Sequence, residues 1–158
     1  MPNRFQNLTE LPALLRQGCS YLQQLSDLLD RERDVLTKPD NAELERIMAD
    51  KQTLLGQFDP CKQQWSQLIS SHAASIDDFF TLLPDALKQH LLPLWQELER
   101  LNQQVKQANQ RNGQIANGRQ RQLGQLLSLM QGQRKQDQLY TDGGNSNNYR
   151  AQNRLGKA

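Results

Sequence analysis

The amino-acid sequence predicts an all-α protein: an antiparallel helical hairpin joined by a third long helix into an elongated helical bundle. Composition favours helices, because Gln occurs 24 times, Leu dominates the apolar residues, and aromatic and β-branched residues are scarce. Leu and Gln are good helix formers, whereas strands favour the residue types that are scarce here. The spacing of apolar residues agrees, since they recur in alternating steps of three and four, as in a coiled-coil seam.

The first helix is predicted over about residues 8–37. Gly18 and Glu32 complete its seam of three-and-four steps, whose apolar members are Leu8, Leu11, Leu15, Leu22, Leu25, Leu29 and Leu36. Pro39 is expected to end the helix, because proline lacks an amide donor and disfavours the α conformation at the preceding residue.

The second helix is predicted over about residues 42–72, with Asp40 or Asn41 as its N-cap. Its seam follows the same spacing through Leu44, Ile47, Lys51, Leu54, Phe58, Cys61, Trp65, Leu68 and His72. Pro60 interrupts this segment, and we expect a kink or a local break near it.

The two seams are complementary when they are laid antiparallel around the turn at residues 38–41. Gly18 then faces Trp65, so the smallest residue lies opposite the largest side chain, as in interdigitated cores. Glu32 faces Lys51, so the two charges that interrupt the seams meet each other. Slipping one helix by a heptad would leave both charges without a partner, and the pair therefore fixes the register.

A connector of residues 75–92 is predicted to hold one or two short helices, the first capped by Ser75. The third long helix is predicted over residues 93–136, because proline is tolerated in a first helical turn and Pro93 provides one. Its seam contains Leu91, Leu94, Leu98, Leu101, Val105, Ala108, Asn112 and Ile115. We expect one bundle domain of residues 1–136 and a flexible polar tail of residues 137–158.

The charge of the chain is divided between its two parts. Residues 1–105 hold 10 basic and 15 acidic residues, a net of −5, whereas residues 106–158 hold 9 and 2, a net of +7. A basic arm can bind nucleic acid, an anionic membrane or an acidic protein, or can simply keep the tail in solution. The first residues lack the apolar core of a signal peptide, so we expect a cytoplasmic protein.

Catalysis is not expected, because no recognisable nucleophile, nucleotide or metal motif occurs. His72 and His90 stand in no such motif, and Cys19 and Cys61 lack metal-ligand spacing. We therefore expect no enzyme activity, no cofactor and no metal. Scattered basic residues with few aromatics disfavour nucleic-acid binding, and the lack of a long apolar run disfavours membrane insertion.

An apolar stripe in the basic part of the chain is the candidate binding site. It comprises Leu123, Leu126, Leu127 and Met130, with Leu129 beside it. A partner helix recognised at positions i, i+3, i+4 and i+7 would fit such a stripe, and Met adds adaptability. The alternatives are that these residues fold back on the hairpin or pack against a second copy in a structural coiled-coil oligomer.

Two sets of motifs resemble the FlgN family of flagellar export chaperones. The hairpin contains Glu32-Arg33-Asp34-Val35-Leu36 and then Leu44, Ile47, Lys51, Leu54 and Leu55. The second half contains Leu101, Asn109-x-x-Asn112-Gly113-x-Ile115 and Tyr140-x-x-x-Gly144. The first set is typical of many coiled coils, whereas the second is more specific.

The resemblance implies a chaperone that holds hook-associated proteins, the proteins of the hook–filament junction, unassembled in the cytoplasm and delivers them for flagellar type III export. It implies that the C-terminal amphipathic region, which is Leu123, Leu126, Leu127 and Met130 here, binds the cargo's C-terminal helix. It further implies that a tyrosine docks on the cytoplasmic domain of the export gate. Tyr140 is the candidate by its motif, with Tyr149 as the alternative, and components of the export ATPase are further candidate partners.

Overall fold

The computed structural model describes residues 5–38 and 40–141, the last seven of these by their backbone alone. A short 3-10 helix, Gln6–Glu10, precedes four α-helices, which are α1 (Leu11–Thr37), α2 (Asn41–Ser70), α3 (Ile76–Leu82) and α4 (Asp85–Thr141). The described ranges contain no strand. The predicted all-α class is confirmed.

The turn between α1 and α2 is built by local polar groups. Lys38 adopts an extended backbone that ends α1, and its N–H still donates to the Val35 carbonyl. The Asp40 carboxylate then accepts a hydrogen bond of 3.1 Å from the Glu43 N–H. Such a cap satisfies one of the amide groups that a helix start leaves without a partner, so α2 begins at Asn41.

Helix α2 continues through Pro60 as one element, where the sequence predicts a kink or a local break. Pro60 is exposed, so its ring does not interrupt the packed face. Cys61, Trp65 and Ile69 follow it and are all buried. Burial of this face offsets the cost of a proline inside a helix, about 3 kcal/mol.

Helix α4 begins at Asp85, eight residues before the start that the sequence predicts at Pro93. The Pro84 carbonyl accepts a hydrogen bond of 2.9 Å from the Lys88 N–H and so closes the first turn. Leu91 is fully buried, and Leu87 packs against the same core. These contacts stabilise the helical turns that precede Pro93, and Pro93 itself is exposed.

The chain forms two compact units, which divide between Ile115 and Ala116. The boundary after residue 136 between a bundle domain and a tail stays a prediction. The first unit holds the hydrophobic core. The 3-10 helix and all four α-helices contribute buried residues to it, which include Leu8, Leu11, Leu15, Leu22, Trp65, Phe79, Leu91 and Leu98. In the second unit, residues 116–141 are helical. The greater part of the predicted tail, residues 142–158, lies outside the described residues.

Candidate partner-binding surface

A buried polar cluster joins three helices of the first unit. Lys51 Nζ of α2 donates hydrogen bonds of 3.2 and 3.3 Å to the two carboxylate oxygens of Glu32 in α1. Asn112 Nδ2 of α4 donates to Glu32 Oε2 at 2.8 Å and to the Leu29 carbonyl at 2.7 Å. We call Glu32, Lys51 and Asn112 the polar cluster. The structure thus brings together the charged pair that the register predicts and adds a third member.

The polar cluster is well satisfied despite its burial. Glu32 is 9% exposed and Asn112 only 2%, yet each has polar partners. Arg111 extends the cluster to the surface, because its Nε donates to Asn112 Oδ1 and its Nη2 to Asp30 Oδ1. Among the side chains that the structure describes, no buried nitrogen or oxygen lacks a hydrogen bond. The sequence signal for Asn112 was its place as the one amide in an otherwise apolar seam.

The second predicted pair, Gly18 and Trp65, is also brought together. A Cβ atom placed on Gly18 would lie 2.5 Å from Trp65 Cζ3 and 3.1 Å from Leu98 Cδ1. Trp65 is itself held by an edge-on contact with Phe58, with ring centroids 5.6 Å apart. Glycine is therefore required at position 18 because the indole occupies the space of a side chain.

The two thiols suit packing better than chemistry: Cys61 is buried and Cys19 is partly buried. Burial raises the pKa of Cys19, and the nearby Glu97 carboxylate raises it further against a smaller opposite effect of Arg100. Burial likewise raises the pKa of Cys61. Both thiols therefore form thiolates less readily than a free cysteine does, and the thiolate is the reactive and metal-binding form.

His72 likewise suits packing better than chemistry, because it lies between two aromatic rings. Its ring centroid lies 5.9 Å from that of Phe5 in a stacked arrangement and 6.4 Å from that of Phe79. Its Nδ1 lies 2.7 Å from the Leu68 carbonyl oxygen. Within the described ranges, no group of three His, Cys, Asp or Glu residues is placed to hold a metal ion.

The second unit carries most of the exposed large apolar side chains among the described residues. The described residues include eight large hydrophobic side chains that are exposed, and five of them fall between positions 123 and 130: Leu123, Leu126, Leu127, Leu129 and Met130. The four residues Leu123, Leu126, Leu127 and Met130, which we call the binding stripe, are 50–59% exposed. Their steps of three and four place them on one face of the helix. A contiguous apolar face of this kind in solvent is typical of a protein-binding surface.

Three glycines lie in the same stretch of helix, Gly118, Gly124 and Gly132. A Cβ atom at any of them would meet nothing within 4 Å. Packing therefore does not explain them, and each costs about 1 kcal/mol of helix propensity relative to alanine. The helix that carries the binding stripe is consequently weak in its intrinsic helix propensity.

The remaining predicted residues divide between described and undescribed parts of the chain. Asn109 and Gly113 lie on α4 and are exposed, unlike their neighbour Asn112. The backbone of Tyr140 belongs to α4, which ends at Thr141. Gly144 and Tyr149 lie outside the described residues. The structure therefore brings Asn112, but not Asn109 or Gly113, into the core.

Comparison with known proteins yields one finding. A sequence model of the FlgN protein family matches residues 1–148, which is most of the chain and includes the hairpin, α4 and the binding stripe. No match was found among curated proteins or among solved structures. In the described part of the chain, no helix is both long and apolar enough to cross a membrane.

Proposed function

The chain belongs to the FlgN family of flagellar export chaperones, and we propose that it binds hook-associated proteins in the cytoplasm, keeps them unassembled and delivers them to the export gate. The family is one of chaperones and not of enzymes. The identity of the cargo, the cellular location and the delivery step are our inferences.

One observation supports cargo binding by this chain above all: the binding stripe is apolar and exposed. Its four side chains lie at the positions that contact a partner helix laid along the groove. Burying two leucines of the stripe against such a helix would contribute about 3 kcal/mol. We therefore assign cargo binding to Leu123, Leu126, Leu127 and Met130.

The proposed chaperone activity requires only that the chain cover apolar helical segments of its cargo. Proteins that polymerise through helical segments aggregate when these segments are unpaired, and an apolar stripe that covers them prevents it. If the segment that carries the stripe becomes more ordered on binding, the ordering cost keeps the affinity moderate and the cargo releasable. No nucleotide or cofactor is needed for this action, and the surface assigned to it includes no catalytic group.

Replacing Leu126 and Leu127 together by alanine is expected to weaken cargo binding about a hundredfold, because about 3 kcal/mol of apolar burial is lost. Isothermal titration of the purified full chain with purified hook-associated proteins measures the effect. Both leucines are 58% exposed, so the unfolding midpoint should stay unchanged. Binding that is unaffected by the double change would remove the binding stripe from the cargo site.

The matched control changes two exposed apolar side chains of the first unit, Met48→Ala with Leu82→Ala, which are 54% and 49% exposed. This variant should bind cargo as the parent chain does. Measurements of self-association and of DNA binding on the same variants separate two rival functions. A structural coiled-coil oligomer would lose self-association on the Leu126→Ala/Leu127→Ala change, and a nucleic-acid binder would show strongly salt-dependent DNA binding that disappears without residues 106–158.

We further propose that Tyr140 docks on the cytoplasmic domain of the export gate, with components of the export ATPase as further partners. Tyr140→Ala is expected to leave cargo affinity within about twofold, since the tyrosine lies outside the binding stripe, and to reduce export severalfold, since an aromatic anchor at an interface contributes about 2 kcal/mol or more. Export is measured as hook-associated protein secreted by cells that carry only the variant chaperone.

Tyr149→Ala is the matched control for this prediction, because it removes the same side chain elsewhere in the C-terminal region. Export that falls with Tyr149→Ala and not with Tyr140→Ala would transfer the docking role to Tyr149. Export that both variants support fully would contradict tyrosine docking altogether.

A further inference from the structure

The dipeptide Asn-Gly occurs twice in α4, as Asn112-Gly113 and as Asn117-Gly118. Asparagine is chemically labile. It is most labile before glycine, because glycine has no Cβ atom to shield its main-chain nitrogen from the preceding side-chain amide. The two copies offer the same reacting groups on the same helix. A difference in their reactivity therefore depends on their surroundings.

The side chain of Asn112 is fixed in the core of the first unit. It is 2% exposed, and its Nδ2 donates hydrogen bonds of 2.7 Å to the Leu29 carbonyl and 2.8 Å to Glu32 Oε2. Its Oδ1 accepts a hydrogen bond of 3.2 Å from Arg111 Nε. Turning this amide towards the Gly113 nitrogen would break these bonds and leave buried polar groups without partners, which is costly.

The side chain of Asn117 belongs to the second unit and is exposed to solvent. Tertiary packing does not hold the turn that follows it, since a Cβ atom on Gly118 would meet nothing within 4 Å. The protection that remains is the helical hydrogen bond of the Gly118 N–H. Glycines at positions 113 and 118 weaken this part of the helix, so local opening exposes the nitrogen.

We propose that Asn117 is a site of spontaneous deamidation, whereas Asn112 is protected from it. When α4 opens locally, the Gly118 nitrogen attacks Asn117 Cγ. The N–Cγ bond forms and the Cγ–Nδ2 bond breaks, and Nδ2 leaves as ammonia with the proton that the Gly118 nitrogen gives up. Water then opens the cyclic imide at one of its two carbonyl groups, which yields aspartate or isoaspartate. Water is the only co-reactant.

The isoaspartate product interrupts α4 six residues ahead of Leu123, the first residue of the binding stripe. Its main chain runs through the side-chain carbon atoms and gains a methylene group, so the hydrogen bonds from residue i to residue i−4 lose their register. Both products also add a negative charge to the helix. This inference concerns the ageing of the chain and does not depend on the cargo that it binds.

Incubation of the purified full chain in mildly alkaline buffer tests the proposal, because base removes the proton of the attacking nitrogen. Tandem mass spectrometry follows the conversion, since both products are heavier than asparagine and fragment ions distinguish position 112 from position 117. We expect Asn117 to convert at least about tenfold faster than Asn112 in the folded chain. In denaturant the two rates should be similar. Equal rates in the folded chain, or no conversion of Asn117, would overturn the proposal.

Two glycine variants test the identity of the attacking nitrogen. Gly118→Ala places a methyl group beside it and should slow the conversion of Asn117 severalfold. Gly113→Ala is the matched control and should slow it less, because it stabilises the helix without shielding Gly118. A Cβ atom meets nothing within 4 Å at either position, so both variants should fold. Equal slowing by the two variants would overturn attack by the Gly118 nitrogen.

Circular dichroism of the aged chain measures the structural consequence. The parent chain should lose helix in proportion to the isoaspartate formed at position 117. Asn117→Gln, aged in the same way, should retain its helix, because glutamine would have to form a larger ring and reacts far more slowly. An equal loss of helix in the two chains would overturn the interruption of α4 at this site.

Discussion

Replacing Glu32 by leucine is expected to lower the free energy of unfolding by about 3 kcal/mol. The change removes the acceptor for Lys51 and one of the two acceptors of Asn112 Nδ2, which lies 2.8 Å from Glu32 Oε2 and keeps only the Leu29 carbonyl. Asn112 is 2% exposed and cannot turn to water for a replacement. A buried polar group that loses its partner retains the cost of its desolvation. Chemical denaturation of the full chain measures the loss.

The matched control removes the whole polar cluster at once. Glu32→Leu/Lys51→Met/Asn112→Leu removes the donors of the cluster together with their acceptor, and Arg111, which loses Asn112 Oδ1, keeps Asp30 at the surface. An apolar replacement of a buried ionic cluster is often neutral or stabilising. We therefore expect this triple variant to regain most of the stability that the single variant loses. A Glu32→Leu variant as stable as the parent, or a triple variant no more stable than the single one, would contradict this account.

Replacing Gly18 by leucine should destabilise the first unit by about 3 kcal/mol, because even its Cβ atom would lie 2.5 Å from the Trp65 indole. Trp65 has little room to retreat, since it is 4% exposed and packs edge-on against Phe58. The thermal unfolding midpoint and the denaturation midpoint of the full chain should both fall. The modest gain in helix propensity on replacing glycine, about 1 kcal/mol, reduces the loss but does not cancel it.

Gly56→Leu is the matched control, because a Cβ atom on this glycine of α2 would meet nothing within 4 Å. It should be neutral or slightly stabilising. A double-mutant cycle with Trp65→Ala completes the test: Gly18→Leu should cost much less when the indole is absent. Additive costs in that cycle would show that Gly18 and Trp65 do not share the space.

The helical class and the hairpin register followed from the sequence because two kinds of signal agreed. Heptad spacing identified the helices, and the exceptions to it were complementary: Gly18 against Trp65, and Glu32 against Lys51. Irregular positions are informative in this way, since an unbroken row of leucines fits several registers equally well.

The hydrogen bond of Asn112 to Glu32 and the first residue of α4 depend on tertiary contacts, which the spacing of apolar residues does not reveal. The seam placed Asn112 on the packed face, but its bond to Glu32 requires the relative height of α4 against the hairpin. Pro93 is compatible with a first helical turn and also with a helix interior. The burial of Leu91 decides between them, and only the assembled core shows it.

The candidate surface was accessible to sequence reasoning only in part. The spacing of the binding stripe indicates one apolar face of a helix, and the structure adds that its four side chains are 50–59% exposed. The role of Tyr140 stays a prediction, because its side chain is not among those described.

The proposed release of cargo is affected by three glycines in the helix that carries the binding stripe, Gly118, Gly124 and Gly132. Together they lower the stability of this helix by about 3 kcal/mol relative to alanine, so local unwinding of the helix costs little free energy. If cargo binds the stripe as we propose, local unwinding of the helix beneath it gives a route to release that does not break every leucine contact at once. Replacing all three glycines by alanine is expected to stabilise the helix, and so to raise the affinity for cargo and slow its dissociation.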